Sequence, residues 1–383
     1  MKQRAVSIAA ALALVATIVA PAGGAQERPA RALAAPTAEF AEPLTGPLRM
    51  VELRDGRVLI HDGKEKRLAI ADFASGEFTD VAREGSGPTE FRSAMALLRA
   101  TGDSIWLYDI ILSRVLVLGP DGKPARTQLF VNASDPMAML SRPIVREHDA
   151  SGRTFGELRV VRFAEGRMSF SDSVLLVRAT AGRADTLAMM PNHVRAPSFD
   201  GQVLRIRAPG FPPADAWGVF PDGRVMVVRG VTYVPEIFLP NGTRRAAAAL
   251  PFPRVAVTAA DRTKMMEDTR KAMEEGMNLG RAMAGNQPMP RFEIIEPDPW
   301  QSHKPPLAGT VILVDSRSRA WVPVLRREAG LGERFDLLDA DGKWLDAITL
   351  PKDVTLLGFG RTVVYTARKD SDDLLWLQRH PLP

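Results

Sequence analysis

"REGSGPTEFRSA", Arg83 to Ala94, lies between two runs of alternating apolar residues. Gly85 and Gly87, followed by Pro88 and Glu90, leave two readings: a loop cradling a phosphate, or a joint between repeated structural units. A Walker-type loop needs Lys-Ser/Thr after its last glycine and then a helix. A dinucleotide fingerprint needs a third glycine that opens a helix. Here Pro88 follows the second glycine, and "MALLRATGDSIWLYD" after it alternates as strands do. The stretch reads as a joint.

The units on either side repeat. "RMVELRDGRVLIHDG", Arg49 to Gly63, places Asp55-Gly56 between two apolar runs, and "RLAIADFASGEFTDVA", Arg67 to Ala82, turns at Ser75-Gly76. Such tight turns need positive φ, which glycine tolerates. The first turn recurs at Gly102-Asp103, Ser151-Gly152, Asp222-Gly223, Ser316-Arg317 and Gly358-Gly360. The second recurs at Asp121-Gly122, Gly182, Asn241-Gly242, Asp341-Gly342 and Ser371-Asp372. Paired hairpins at this rhythm predict an all-β fold, a six-bladed β-propeller. The last unit has only three strand runs, "VTLLGF", "TVVYTA" and "LLWLQRH". A missing strand leaves an open edge, and "PTAEFAEP", Pro36 to Pro43, is expected to supply it along Leu374–Gln378. The preceding "QERPARALAA", residues 26–35, reads as a loose Ala/Pro-rich tether, with the propeller occupying 36–383.

"GSGPTEF" resembles the G-x-G-P-x-E-F element of NHL-type six-bladed propellers, which marks the passage between blades. "WLYDIILSRVLVLGPDGK", Trp106 to Lys123, is similar to that family's strand, Asp, loop, Arg, strand, Asp-Gly pattern. "PPLAGTVILVDSRSRAWVPV", Pro305 to Val324, resembles a later blade of secreted bacterial members. Asp62 precedes Arg67 by five residues and Asp109 precedes Arg114 by five. Each Asp can accept N–H bonds from its loop, and each Arg is expected to pair with it across the turn as a structural clasp.

Composition bounds the rest. Lys2 and Arg4, the apolar Ala5–Ala20 and the small residues Gly23 and Ala25 form a secretory signal peptide over 1–25. The mature chain is then periplasmic or extracellular, with no later run suited to a membrane span. Loss of Lys2 and Arg4 takes the formal charge from +5 to +3. The basic residues are scattered, which argues against nucleic acid. With no cysteine, disulfides, thiolate metal sites and cysteine nucleophiles are excluded.

One segment breaks the rhythm, about 255–306, taken as an insertion in the fifth blade. "TAADRTKMMEDTRKAMEEGMNLGRAMAG" opens with Thr258 and Asp261 at capping-box spacing, and Met266, Met273 and Met277 follow helical spacing. A helix is expected here, its methionines turned to the blades. "NQPMPRFEIIEPDPWQSHKPP", 286–306, is too proline-rich for regular structure.

No cofactor or metal motif stands out. The five histidines, His61, His148, His193, His303 and His380, share no metal-ligand spacing, and no serine sits in a G-x-S-x-G elbow. Asp370, Asp372 and Asp373 read as a solvated turn tip. Trp106, Trp321 and Trp376 fall in strands and belong to the core. Residues placed to face a pocket at the channel mouth are Trp217, Arg229, Tyr233, Trp300 and His303. No catalytic residue is assigned. The chain reads as a non-catalytic module for a protein or small-molecule ligand. The alternative is an enzyme of lyase or lactonase type, chemistries that known six-bladed propellers host.

Overall fold

The computed structural model describes residues 28–383, apart from 130–141, 165–166, 181–182, 194–197, 200–201, 285–290 and 326–331. The signal peptide and the turn at Gly182 lie outside the described residues. Among those described, strands form seven sheets. The first holds Leu48–Glu52, Val58–Asp62, Arg67–Asp72 and Glu77–Ala82, each antiparallel to the last. The second runs from Ala94–Arg99 to Pro124–Leu129, the third from Ile144–His148 to Arg183–Pro191, and the fourth from Ala216–Val219 to Arg244–Ala246. The fifth spans Leu313–Val314 to Trp344–Thr349, and the sixth Val354–Phe359 to Leu375–Pro381. Its turns fall where glycine punctuates the sequence: Gly56 has φ +85° and Gly223 φ +84°, a region that costs a side-chain-bearing residue.

The Ile312 N–H bonds the Trp217 carbonyl where the fourth sheet meets the fifth, and buried side chains join the sheets throughout. Leu53, Leu59 and Leu68 pack with Leu97, Leu107 and Leu116 between the first and second sheets. Similar clusters lie between the third and fourth, fourth and fifth, and fifth and sixth. The second reaches the third through Val145. Val58 and Ile60 of the first sheet meet Tyr365 and Leu377 of the sixth. The first strand of each sheet lines one common cavity, the arrangement of a β-propeller.

The chain start completes two sheets. Ala38–Glu39 pairs antiparallel with Gln378–Arg379, as the three-strand count of the last unit requires. Within the stretch read as a loose tether, residues 31–33 differ from expectation. Arg31–Ala32 pairs parallel with Ile348–Thr349 as a fifth strand of the fifth sheet, Arg31 bonds Asp346 at 2.6 Å, and Leu33 is buried. Alanines leave no polar side chain to compete for this edge, so the segment is held.

The joint at Arg83–Ala94 is built around a carboxylate. Glu90 accepts the Gly87 N–H at 2.8 Å, and Gly85 N–H bonds the Phe91 carbonyl. The glycines are required by close approach and not by positive φ: a Cβ on Gly85 would meet Glu90 Oε2 at 2.0 Å. An internal acid thus takes the place that a phosphate would need. Glu90 is the flexible end of a side chain that can swing aside, so Gly85→Ala should lower stability no more than an ordinary surface substitution does. Urea unfolding checks this, and a loss several times larger would mean that the backbone itself had moved.

The expected clasps are corrected. Asp62 does cap its loop, accepting from Thr45, Lys64 and Glu65 N–H groups at 2.6, 3.0 and 3.2 Å. Asp109 does likewise for Arg92, Ser93 and Leu112. The arginines turn elsewhere: Arg67 to Asp80 and Glu42, and Arg114 to the Gly87 and Glu90 carbonyls of the joint. An aspartate saturated by backbone donors leaves its cross-strand arginine free to reach other acceptors.

The helix α1, Ala259–Ala284, forms where expected and continues through Gly276 and Gly280. Thr258 and Asp261 bond reciprocally, N–H to carboxylate at 2.9 Å and N–H to hydroxyl at 3.2 Å. Met277 is buried, with Met266 and Met273 half-buried. The helix follows the last strand of the fourth sheet and precedes the first strand of the fifth, so it lies between two sheets and not within one. The proline-rich return is also not irregular throughout. Arg291–Ile295 pairs parallel with Val203–Arg207, its β-branched and aromatic residues forming a strand between the prolines.

Candidate functional site

Two cavities meet at the mouth of the ring of first strands. The central channel, about 640 Å³, is lined by Leu48–Glu52, residues 95–99 and 144–147, Trp217, Val219, and residues 311–314 and 357–359. Beside it, a cavity of about 620 Å³ lies under the amino-terminal half of α1. The two share Val311 and Leu313.

The α1 cavity has an apolar body: Phe211, Met265, Val311, Leu313, Pro323, Val324, Leu325, Phe335 and Leu356. Its charges are mostly paired. Asp261 meets Lys304 at 2.6 Å, and Lys264 meets Asp268 at 3.0 Å. Burial pushes the Glu333 carboxyl up, against the Leu356 N–H that it accepts at 3.1 Å. The half-buried Met265 belongs to none of the methionines read at helical spacing. Its adjacency to Met266 hid it, because a stripe is found by period and not by which neighbour reaches a cavity.

The channel is more polar. Glu52 is buried and accepts from the Tyr365 hydroxyl and the Arg361 N–H, each at 2.9 Å. Arg99 donates to the Glu52 carbonyl, and Arg146 meets Glu157 at 3.3 Å. Arg49 donates its Nε–H to the Met95 carbonyl at 2.9 Å, and burial lowers its pKa. Glu147 lies in the same channel, its carboxyl pushed up to about 7 by burial. Burial also holds His61 and His148 at about 4, leaving both imidazoles neutral. His148 Nε2 lies 3.0 Å from the Tyr108 hydroxyl.

The five residues singled out from sequence do not gather. Trp217 is buried on the channel wall, and its indole N–H bonds Glu157 at 2.8 Å. Arg229 is clamped between Asp215 and Glu236, both at 2.6 Å, at the edge of a separate shallow cavity. Tyr233 is a core residue whose hydroxyl donates to Asp336 at 2.8 Å. Trp300 lies under the Arg262 guanidinium, and His303 is exposed beside Ser302. Arg229 and Tyr233 are each already engaged within their own or the neighbouring sheet. Trp321 is core as expected, while Trp106 and Trp376 are half-buried. Asp370 accepts the Trp376 indole N–H and two loop N–H groups.

Among the described residues, no three His, Asp or Glu side chains gather as a metal-binding group. No helix among them is long and apolar enough to cross a membrane. The fold and site thus define a β-rich, propeller-like protein with a helix-covered cavity at the mouth of its channel. No protein-family model matches the chain, and no curated protein matches it in sequence. Among solved structures it is similar to a gluconolactonase from Xanthomonas campestris, with 11% identity and a TM-score of 0.45 over 95% of this chain and 99% of that one. It is also similar to a DUF4221 family member from Bacteroides vulgatus, with 11% identity and a TM-score of 0.42 over 94% and 98%. Virginiamycin B lyase from Staphylococcus aureus gives 11% and 0.42 over 90% and 98%.

Proposed function

We propose that the protein is an exported six-bladed propeller of NHL type, a non-catalytic module that binds an amphipathic small molecule beneath α1. The blade count is supported by the apolar clusters between successive sheets, the last joining the sixth to the first. The binding role rests on one observation: the α1 cavity combines an apolar body with a rim of paired charges. An apolar group there leaves water without separating an ion pair, at about 25 cal/mol per Å² buried. The site lies between a rigid sheet edge and a helix that the sheets do not need for their own pairing, a common setting for ligand loops.

Titration with 1-anilinonaphthalene-8-sulfonate, an apolar body with one anionic end, tests this reading. Saturable fluorescence enhancement is expected, and Met265→Trp, which fills the cavity, should weaken it about tenfold or more. Non-saturable binding, or binding indifferent to Met265→Trp, would overturn it. A lyase or lactonase acting at the channel mouth is the second reading, favoured by Glu147. A carboxyl held near 7 can take or give a proton at neutral pH. Lactone turnover abolished by Glu147→Gln would decide for that reading.

A further inference from the structure

The central channel carries two charges of opposite sign that the protein does not neutralise. Glu52, Arg99 and Arg146 all have charged or hydrogen-bonding partners. Arg49 does not share in this: among the described residues no carboxylate lies within 4.0 Å of it, and its one bond is the Nε–H to the Met95 carbonyl. Among the described residues, the Glu147 carboxyl has neither a hydrogen-bond donor nor a cation in contact. A half-buried acid and a half-buried cation without ionic partners leave room for a ligand that supplies them.

The two cannot satisfy each other. Arg49 stands on the first strand of the first sheet and Glu147 on that of the third, with the Ala94–Arg99 strand between them. Glu147 lies beside a local irregularity of the channel-lining strand. The pairing of Ile144–His148 with its neighbour shifts register between Val145 and Glu147. Such an irregularity re-aims side chains, and both Arg146 and Glu147 line the cavity. Arg146 is absorbed by Glu157, leaving Glu147 as the open acid.

We propose that the channel binds a small dipolar molecule carrying an oxyanion at one end and a protonated amine at the other. Arg49 holds the oxyanion through its remaining N–H donors, and Glu147 holds the ammonium. A guanidinium suits a carboxylate, since its fork of donors matches two oxygens. The residues supply length selection as well, because the ligand must reach past the strand between its two anchors. This site is separate from the α1 cavity and does not depend on what that cavity takes.

The unpaired acid gives the site a signature of its own. Burial pushes the Glu147 carboxyl up to about 7, so part of the population carries a proton there at neutral pH. An ammonium beside it favours the carboxylate, and binding therefore releases a proton. The other ionisable groups lining the channel are Arg49, Glu52, Arg99 and Arg146. Glu52 is held by Tyr365 and Arg361, Arg146 by Glu157, and nearby His61 and His148 are neutral above about 4.

Calorimetry with ω-amino acids from glycine to 6-aminohexanoate tests the proposal, with butylamine and butyrate as single-ended controls. One member of the series should saturate with a Kd at or below about 1 mM. Its heat should differ between phosphate and Tris at pH 7, by the buffers' uptake of the released proton. Arg49→Met and Glu147→Gln should each weaken binding about tenfold or more, and only Glu147→Gln should abolish the buffer dependence. Arg49→Lys keeps the charge and covers the case in which Arg49→Met fails to fold; it should retain weakened binding. Met265→Trp should leave the affinity unchanged, which separates this site from the α1 cavity. No saturation by any member, controls binding as tightly as the series, or affinity indifferent to both charge substitutions would overturn the proposal.

Discussion

Phe40→Ala is expected to lower stability by about 3–5 kcal/mol, the range for emptying a buried phenylalanine site. Phe40 is 2% exposed and lies 4.6 Å from both Phe73 and Phe78, the first contact edge-on at 81°. Its backbone belongs to a different sheet: the Phe40 N–H donates to the Leu377 carbonyl at 3.0 Å. One residue therefore carries the edge strand of the sixth sheet and fills the seam with the first. Truncating it loosens both at once, and no neighbour can collapse into the space without breaking the strand. Glu39→Gln is the control. Glu39 pairs with Arg368 through two 2.9 Å bonds at the surface, an interaction worth about 1 kcal/mol or less. Guanidinium unfolding of both variants compares them. Equal, small losses would mean that the seam holds without its strap.

What the sequence made legible here follows from locality. Most turn glycines, among them Gly56, Gly122, Gly223 and Gly342, the three-strand last unit and the Thr258–Asp261 cap involve residues a few positions apart and stand in the structure as read, whereas Gly358 falls inside the strand Val354–Phe359. The strap was legible although it pairs residues more than 300 positions apart, because a missing strand is itself a local count. Several misreadings concern partners. Alternation places Arg67 and Arg114 beside Asp62 and Asp109, and the register indeed aligns them. Which group each arginine then reaches depends on acceptors brought close by the fold, Asp80 and Glu42 for one and the joint's carbonyls for the other, and no period encodes that. The same reason hid Arg49 and Glu147. In sequence they are two charged residues in strands, and only the ring of first strands brings them into one cavity. The Arg291–Ile295 strand was obscured by its flanking prolines, which bound a strand without preventing one.

Asp315→Ala should be about as damaging, at about 3–5 kcal/mol, because it leaves a buried cation and its donors without an acceptor. Asp315 is 1% exposed and collects four bonds: the Arg317 and Arg319 N–H groups at 2.9 and 3.0 Å, the Arg319 guanidinium at 2.8 Å, and the Trp321 indole N–H at 2.9 Å. One carboxylate thus closes the first turn of the fifth sheet and anchors the largest fully buried side chain of the core. Asp149 does the same for the third sheet, accepting from Ser151 N–H and from Arg153 backbone and guanidinium. The Asp-x-x-x-Arg spacing shared by 149–153 and 315–319 marks this device in the sequence. Asp370 provides the comparison, since it binds the Trp376 indole in the same way at 2.7 Å but on an exposed turn. There water can replace the lost acceptor, so Asp370→Ala should cost much less. Thermal melts of the two variants settle the point: if Asp370→Ala proved as destabilising as Asp315→Ala, burial would not be what gives the turn aspartate its weight.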